Sequence, residues 1–136
     1  MNDARRALLY WLARAALCLA FVYSGVAKLL DWSGALAEQA HFGLQPAALF
    51  AAATIAVQLG GSALVLFAPG RKAACGALAL AGFTLAATLI GHAFWRETGM
   101  DRFRDLNAFL EHIGLIGGFV LVALYEGTRR RRSALA

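Results

Sequence analysis

Charged residues are scarce in this chain. Only 15% of its 136 residues are Asp, Glu, Lys or Arg, whereas soluble domains carry about a quarter. Hydrophobic residues make up 60% of the sequence. This composition is too apolar for a soluble domain, so we expect a small integral membrane protein.

Cysteine and proline are also rare, with two residues of each. Cys18 and Cys75 lie in or beside different apolar segments, and no C-x-x-C occurs. A membrane thiol oxidoreductase needs a closely spaced dithiol, so this class is disfavoured and buried packing thiols are expected. Pro46 suits the first turn of a helix, and Pro69 belongs to a turn between two apolar runs.

Several catalytic motifs are missing as well. The sequence contains no G-x-S-x-G, no P-loop and no dinucleotide-binding fingerprint, so independent hydrolase or nucleotide chemistry is not supported. No paired metal spacing occurs within a helix, and we predict no metal site, since one would need His41, His92, His112 and Glu111 to converge from separate segments. A haem between His92 and His112 is conceivable in a helix bundle. We do not favour haem, because His112 lies off the helix stripe of Glu111.

The apolar residues fall into four runs, at about 7–30, 46–67, 73–95 and 106–125. Each is close to the ~20 residues that a helix needs to cross a bilayer. Basic residues precede the first run, as in a signal peptide, but the run is too long and no persuasive cleavage site follows. We therefore predict an all-α membrane protein, a four-helix transmembrane bundle in which residues 1–136 form one domain. The outer segment 34–42 can form a short interfacial helix.

The net charge of +5 is explained by membrane topology rather than by nucleic acid. Basic residues accumulate on one side of the predicted membrane, which is the positive-inside pattern. We predict that both termini lie inside (N-in/C-in), and the opposite side is called the outer side below. The expected partner of this surface is the lipid bilayer. The inner basic residues are Arg5, Arg6, Arg14, Arg71, Lys72 and Arg129 to Arg132, of which the last run can also contact anionic lipid.

The fourth run contains an adjacent acid and imidazole. On a helix, Asn107, Glu111, Gly114 and Gly118 share one stripe, and His112 lies about 100° further round. Small residues mark the faces by which membrane helices approach closely. A carboxylate on such a face needs a partner, a proton or a function, so we expect Glu111 to face the bundle interior.

The other three runs carry polar residues at a similar depth. Lys28 either snorkels to the head groups, with Asp31 as a local ion-pair partner, or faces inward. Repeats of four residues align polar side chains on the second and third helices. These stripes comprise Thr54, Gln58 and Ser62 on the second helix and Thr84, Thr88 and His92 on the third.

Together these residues predict a polar cavity that opens to the outer side. Glu111 would pair there with Lys28 or His92, and Glu111 and His92 are the candidates for handling a proton. The supporting binding residues are Lys28, Gln58, Thr54, Thr88 and His112. The cavity would bind a polar head group or move a proton; alternatively, the same side chains form a buried network that fixes helix register.

Four stretches resemble the DoxX family of small four-helix membrane proteins. They are LAFVYSGVAKLLDWSGALAEQAHFGL, QLGGSALVLFAPGRKAACGALAL, FTLAATLIGHAFW and NAFLEHIGLIGGFVLVAL. The sequence departs from many relatives at Gln58, where they have an acid, and at Glu111 and His112, where they have a Lys-Asn pair. The resemblance implies a bacterial inner-membrane protein linked to redox physiology, with quinone as the implied cofactor.

Three functions follow from these observations. The first is a redox-associated subunit that holds a quinone-like head group or a partner protein in its outer-side cavity, and so at most a subunit of a membrane oxidoreductase. The second is a non-enzymatic scaffold whose outer loops dock a partner. The third is a small proton-coupled exporter. A homo-oligomer is compatible with all three, through a Gly114/Gly118 or a Gly60/Gly61 face.

Overall fold

The computed structural model describes residues 1–133, with side chains up to Thr128. Every regular element in this part of the chain is helical, which confirms the predicted all-α fold. The elements are α1 (Asp3–Leu30), α2 (Trp32–His41), α3 (Ala47–Ile55), a π-helical turn (Ala56–Gly60), α4 (Gly61–Phe67), α5 (Arg71–Gly91), a 3₁₀ turn (Phe94–Arg96) and α6 (Gly99–Ser133).

Four helical spans are long and apolar enough to cross a membrane, as predicted. The first is α1. The second comprises α3, the π turn and α4, the third comprises α5 and the 3₁₀ turn, and the fourth belongs to α6. The lipid contact expected for Arg129 to Arg132 falls on side chains outside the described residues.

A capped turn separates α1 from α2. The carboxylate of Asp31 accepts hydrogen bonds from the Gly34 N–H and the Ser33 hydroxyl, each at 2.8 Å. The Gly34 N–H, and after it the Ser33 hydroxyl, hold the pKa of Asp31 below its usual range. This cap begins α2, a short helix beyond the first span that corresponds to the predicted interfacial segment.

The second and third spans pack closely along their inner halves. A Cβ atom on Gly76 would lie 2.7 Å from the carbonyl oxygen of Gly61, so only glycine permits this approach. Gly60, the other glycine predicted to form a close face, has open space beside it. Further out, α3 and α5 hardly touch, and the two spans diverge towards the outer side.

The third and fourth spans differ from their predicted bounds at the outer side. α5 ends at Gly91, so His92 lies just beyond the helix rather than one turn inside it. α6 begins at Gly99, well before the predicted residue 106, and therefore includes Asp105. Gly99 has a positive φ of 58°, a conformation that glycine adopts without a Cβ clash and that permits the turn into α6.

Aromatic side chains fill the core in the middle of the bundle. The Phe21 ring lies edge-on to Phe119 and Phe83, with centroids at 5.4 and 6.3 Å. Cys18 and Leu80 belong to the same cluster and are fully buried. The prediction of a buried packing thiol is thus confirmed for Cys18 and wrong for Cys75, which is exposed. Gly118 lies against Leu17 of the first span, so the fourth span uses this glycine internally.

The inner end contains a buried carboxylate that connects three segments. Glu126 is 1% exposed, and its Oε2 accepts a hydrogen bond from the Gly70 N–H at 2.9 Å. Its Oε1 lies 3.5 Å from Nη1 of Arg14, whose guanidinium lies 4.7 Å from the centroid of the Tyr10 ring. Arg14, predicted only as a topology anchor, thus also connects the first span to the fourth.

Candidate functional site

A cavity of about 540 Å³ lies in the outer half of the bundle. All four spans and α2 contribute to its walls, since the second and third spans diverge at this level. Its wall is mainly apolar, with polar groups at the outer end and on one side. Five of the predicted site residues line it: Lys28, Thr54, Gln58, His92 and His112.

Glu111 does not line the cavity. Its side chain is exposed on the outside of the fourth span, so the expectation that it faces the interior is wrong. The stripe of His112, which includes the fully buried Phe119, supplies the large apolar side chains that fill the core. Gly114 on the Glu111 stripe has open space beside it. Close packing of the large side chains on the His112 stripe therefore outweighed the pattern of small residues in the orientation of the helix.

Lys28 faces the cavity and is held by two partners. Its Nζ donates to Ser24 Oγ at 3.0 Å and forms an ion pair with Glu38 Oε2 at 2.8 Å. The predicted local pair with Asp31 is not formed, because Asp31 caps α2 instead. Glu38 belongs to α2, so this ion pair joins α2 to the first span across the outer end of the cavity.

Gln58 lies in the π-helical turn of the second span and is 5% exposed. Its Nε2 donates to Ser24 Oγ at 3.2 Å, whereas its Oε1 is buried without a hydrogen-bond partner. A buried amide oxygen normally has a partner, so an unpaired one at a cavity wall indicates a place for a ligand or water. Single π turns inside α-helices are common at functional sites.

The two histidines form a pair at the outer end of the cavity. The hydroxyl of Thr88 donates to the carbonyl oxygen of Thr84 at 2.6 Å, and its oxygen lies 2.8 Å from His112 Nδ1. Because the Thr88 proton is directed to Thr84, Thr88 accepts from the Nδ1–H of His112. His92 Nδ1 likewise donates to Asp105 at 3.3 Å. In the neutral rings, both Nε2 atoms are therefore acceptors.

A DoxX family model matches residues 9–93, which include Lys28, Gln58 and His92. The chain belongs to the DoxX family. It is also 30% identical to the inner membrane protein YphA of Escherichia coli (strain K12), over 121 residues that cover 89% of this chain and 85% of that protein. No solved structure matches it. This DoxX protein is a multi-pass protein of the inner membrane.

The structure adds site residues that the sequence reasoning did not select. Ser24 accepts from both Lys28 and Gln58, and Glu38 and Gln39 bring α2 to the cavity. Asp105 lies seven residues before His112 and thus on the same helix face. The sequence would have indicated this relationship if α6 had been predicted to begin at Gly99 rather than at residue 106.

The remaining lining of the DoxX protein is apolar. Phe21, Phe83 and Val57 lie below the polar groups, and Phe42 and Leu44 lie near the outer helix α2. Among the described residues, no group of three or more His, Cys, Asp or Glu side chains is placed to hold a metal ion. The site therefore combines an apolar wall with a few convergent polar atoms, which is the usual construction of a small-molecule site.

Proposed function

We propose that this DoxX protein binds a quinone-like head group in its outer-side cavity. The observation that carries the proposal is the buried Oε1 of Gln58, which has no partner although it belongs to a cavity-lining side chain. A hydroxyl group on a bound ring would satisfy this acceptor. The apolar side chains below it would contact the ring face.

Both hydrogen-bond donors and acceptors are available around the cavity. Ser24 Oγ already accepts from Lys28 and Gln58, so its own proton remains to be donated. One of the three Lys28 N–H groups is also left, after the bonds to Ser24 and Glu38. These donors suit the carbonyl oxygens of a quinone. Gln58 Oε1 and the histidine Nε2 atoms suit the hydroxyl groups of a quinol.

A route for protons supports a role in redox physiology. Asp105 is partly exposed and contacts His92, whose ring centroid lies 5.1 Å from that of His112 at the cavity. A hydroxyl group of a bound quinol would exchange its proton with the outer aqueous phase through His112, His92 and Asp105. Histidine suits such transfer because its usual pKa lies near neutrality.

Binding of a tail-less methoxy-benzoquinol, whose hydroxyl groups can donate to Gln58 Oε1, to the purified protein in lipid nanodiscs under reducing conditions tests the proposal. Gln58→Leu should weaken binding by up to ~10-fold, since it removes a buried hydrogen bond. Asn107→Leu is the matched control, because Asn107 is an exposed amide of the fourth span that does not line the cavity. Absence of binding to the wild type, or equal binding to wild type and Gln58→Leu, would refute the proposal.

A second candidate function, docking of a partner protein, is favoured by the position of Glu111. Its carboxylate is exposed on a membrane span between the exposed side chains of Leu110 and Ile113. An acid that faces lipid costs ~2.5–3.5 kcal/mol at the helix centre and less near the helix end, so a partner helix with a polar group that covers Glu111 would be favourable. If native mass spectrometry from mild detergent shows no complex that Glu111→Leu removes, this candidate is wrong.

A further inference from the structure

The cavity is open between the second and third spans. Four lining residues at this place are exposed although they belong to the cavity wall: Phe50 and Ala53 on α3, and Ala86 and Ile90 on α5. The reason is the divergence of the spans, which meet at Gly61 and Gly76 in their inner halves but hardly touch further out. This opening lies along membrane-crossing helices, so it faces the hydrocarbon of the bilayer rather than water.

The route from the outer aqueous side is narrowed by α2, although Glu38 and Phe42 at this end of the cavity are themselves exposed. α2 lies across the outer end of the cavity, with Gln39 buried and Phe42 and Leu44 at the wall. The 2.8 Å ion pair between Lys28 and Glu38 fastens α2 to the first span. A hydrophilic molecule from the water would have to displace this helix. A molecule dissolved in the bilayer would reach the cavity between the second and third spans without displacing α2.

From this geometry we infer that the ligand is a ring with a long hydrocarbon tail, which enters sideways from the outer leaflet. The inference rests on the proposed function. The ring occupies the polar end at Gln58, and the tail lies in the opening against Phe50 and Ile90, which are 37% and 47% exposed. A volume of about 540 Å³ lies within the ~300–1,000 Å³ of pockets for drug-sized ligands, so a ring and the first part of a tail fit together.

Narrowing the opening tests the inference. Ala53→Phe combined with Ala86→Phe places two rings in it, whereas the matched control Ala52→Phe with Ala79→Phe adds the same rings to exposed positions on the same helices outside the cavity wall. Two ligands are compared in nanodiscs under reducing conditions: an isoprenoid-tailed benzoquinol and the tail-less benzoquinol. The opening variant should bind the tailed ligand at least ~10-fold more weakly than the control does, because the two new rings occupy the space of the first part of the tail and overpacking is costly enough for that factor. The affinity for the tail-less ring should not change.

A second measurement does not depend on these substitutions. A photoreactive group near the ring end of the tail, on a quinone bound to the wild-type protein, should label peptides from residues 47–67 and 71–91. Labelling confined to the α2 segment 32–41 would overturn the inference, and so would equal affinity of the tailed ligand for the opening variant and the control. An opening variant that loses both ligands equally would place the ring itself between the spans and would overturn it too. A wild-type protein that binds neither ligand would refute the proposed function, and the inference with it; binding of the tail-less ring alone would refute only the inference.

Discussion

His92 and His112 belong to different membrane spans, yet their ring centroids lie 5.1 Å apart with the ring planes at 64°. Each Nδ1 has its own partner, Asp105 for His92 and Thr88 for His112. The partners fix the rings in position and determine which nitrogen of each neutral ring carries the proton. The two rings are therefore held in fixed positions at the cavity wall.

Thr88→Val should disturb this pair without changing the shape of the site. The substitution removes the acceptor of the His112 Nδ1–H but keeps the volume of the side chain. One lost hydrogen bond corresponds to ~1 kcal/mol, so binding of a tail-less quinol should weaken by roughly five-fold. Titration of the ring into nanodiscs measures the change.

Glu111→Gln serves as the comparison for Thr88→Val. Glu111 is the neighbour of His112 in sequence but lies outside the cavity, so its neutralisation should leave quinol affinity within a factor of about two. If Glu111→Gln lost more quinol affinity than Thr88→Val does, the position of Glu111 outside the cavity would be contradicted.

Gly76→Ala should destabilise the bundle because it separates the second and third spans. The new Cβ would lie 2.7 Å from the Gly61 carbonyl oxygen and equally close to Leu64 Cβ. Overpacking of this kind costs ~1–3 kcal/mol. Gly82→Ala on the same helix meets open space and should be neutral or stabilising by up to ~1 kcal/mol, since alanine favours a helix. Unfolding in mixed detergent micelles measures both; equal stability of the two variants would show that the glycine contact is unimportant.

Glu126→Leu should destabilise the inner end. It leaves the Gly70 N–H without its acceptor and Arg14 without its counter-charge in a buried environment. Removal of one partner of a buried ion pair costs about 3 kcal/mol or more. Glu126→Gln keeps an acceptor for Gly70 and should lose less. Thermal unfolding of the three proteins in one detergent provides the ranking, and a Leu variant as stable as the wild type would contradict it.

Acidification should loosen α2 through its cap. Because hydrogen bonds hold the pKa of Asp31 below its unfolded value, the cap stabilises α2 above that value. Its contribution is lost as the pH falls through the folded pKa, which lies below the usual value of an aspartate. At neutral pH, Asp31→Ala should reproduce the effect as several-fold faster hydrogen exchange of α2 amides, whereas Asp31→Asn, which can still cap a helix, should not. Unchanged exchange in Asp31→Ala would mean that other contacts hold α2.

Much of the fold could be predicted because one strong force determines it. Long apolar runs have few alternatives to membrane-crossing helices, and the four predicted runs correspond to four observed spans. Five of the polar residues that line the cavity were also predictable, since polar side chains such as Gln58 and His92 are costly against lipid and tend to face inward.

The contacts around those residues were less predictable. Helix orientation depends on which stripe has the better packing partner, and Phe119 of the His112 stripe found one in Phe21. The ion pair of Lys28 with Glu38 depends on the path of α2 after its cap, a tertiary relationship without a local sequence signal. The buried role of Glu126 was missed because its charge lies near the basic residues of the inner side and resembles a solvated residue there.

Because of the π-helical turn at Ala56–Gly60, the outer and inner parts of the second span can face different neighbours. One additional residue in a turn rotates everything beyond it by about 100° relative to an uninterrupted α-helix. The outer part of the span can thus present Gln58 to the cavity while the inner part presents Gly61 to the third span. Deletion of one residue from this turn would leave a regular helix of nearly the same length. Such a helix could present Gln58 to the cavity or Gly61 to the third span, but not both. Family members that lack the additional residue would then have to build their cavity from a different register of the second helix.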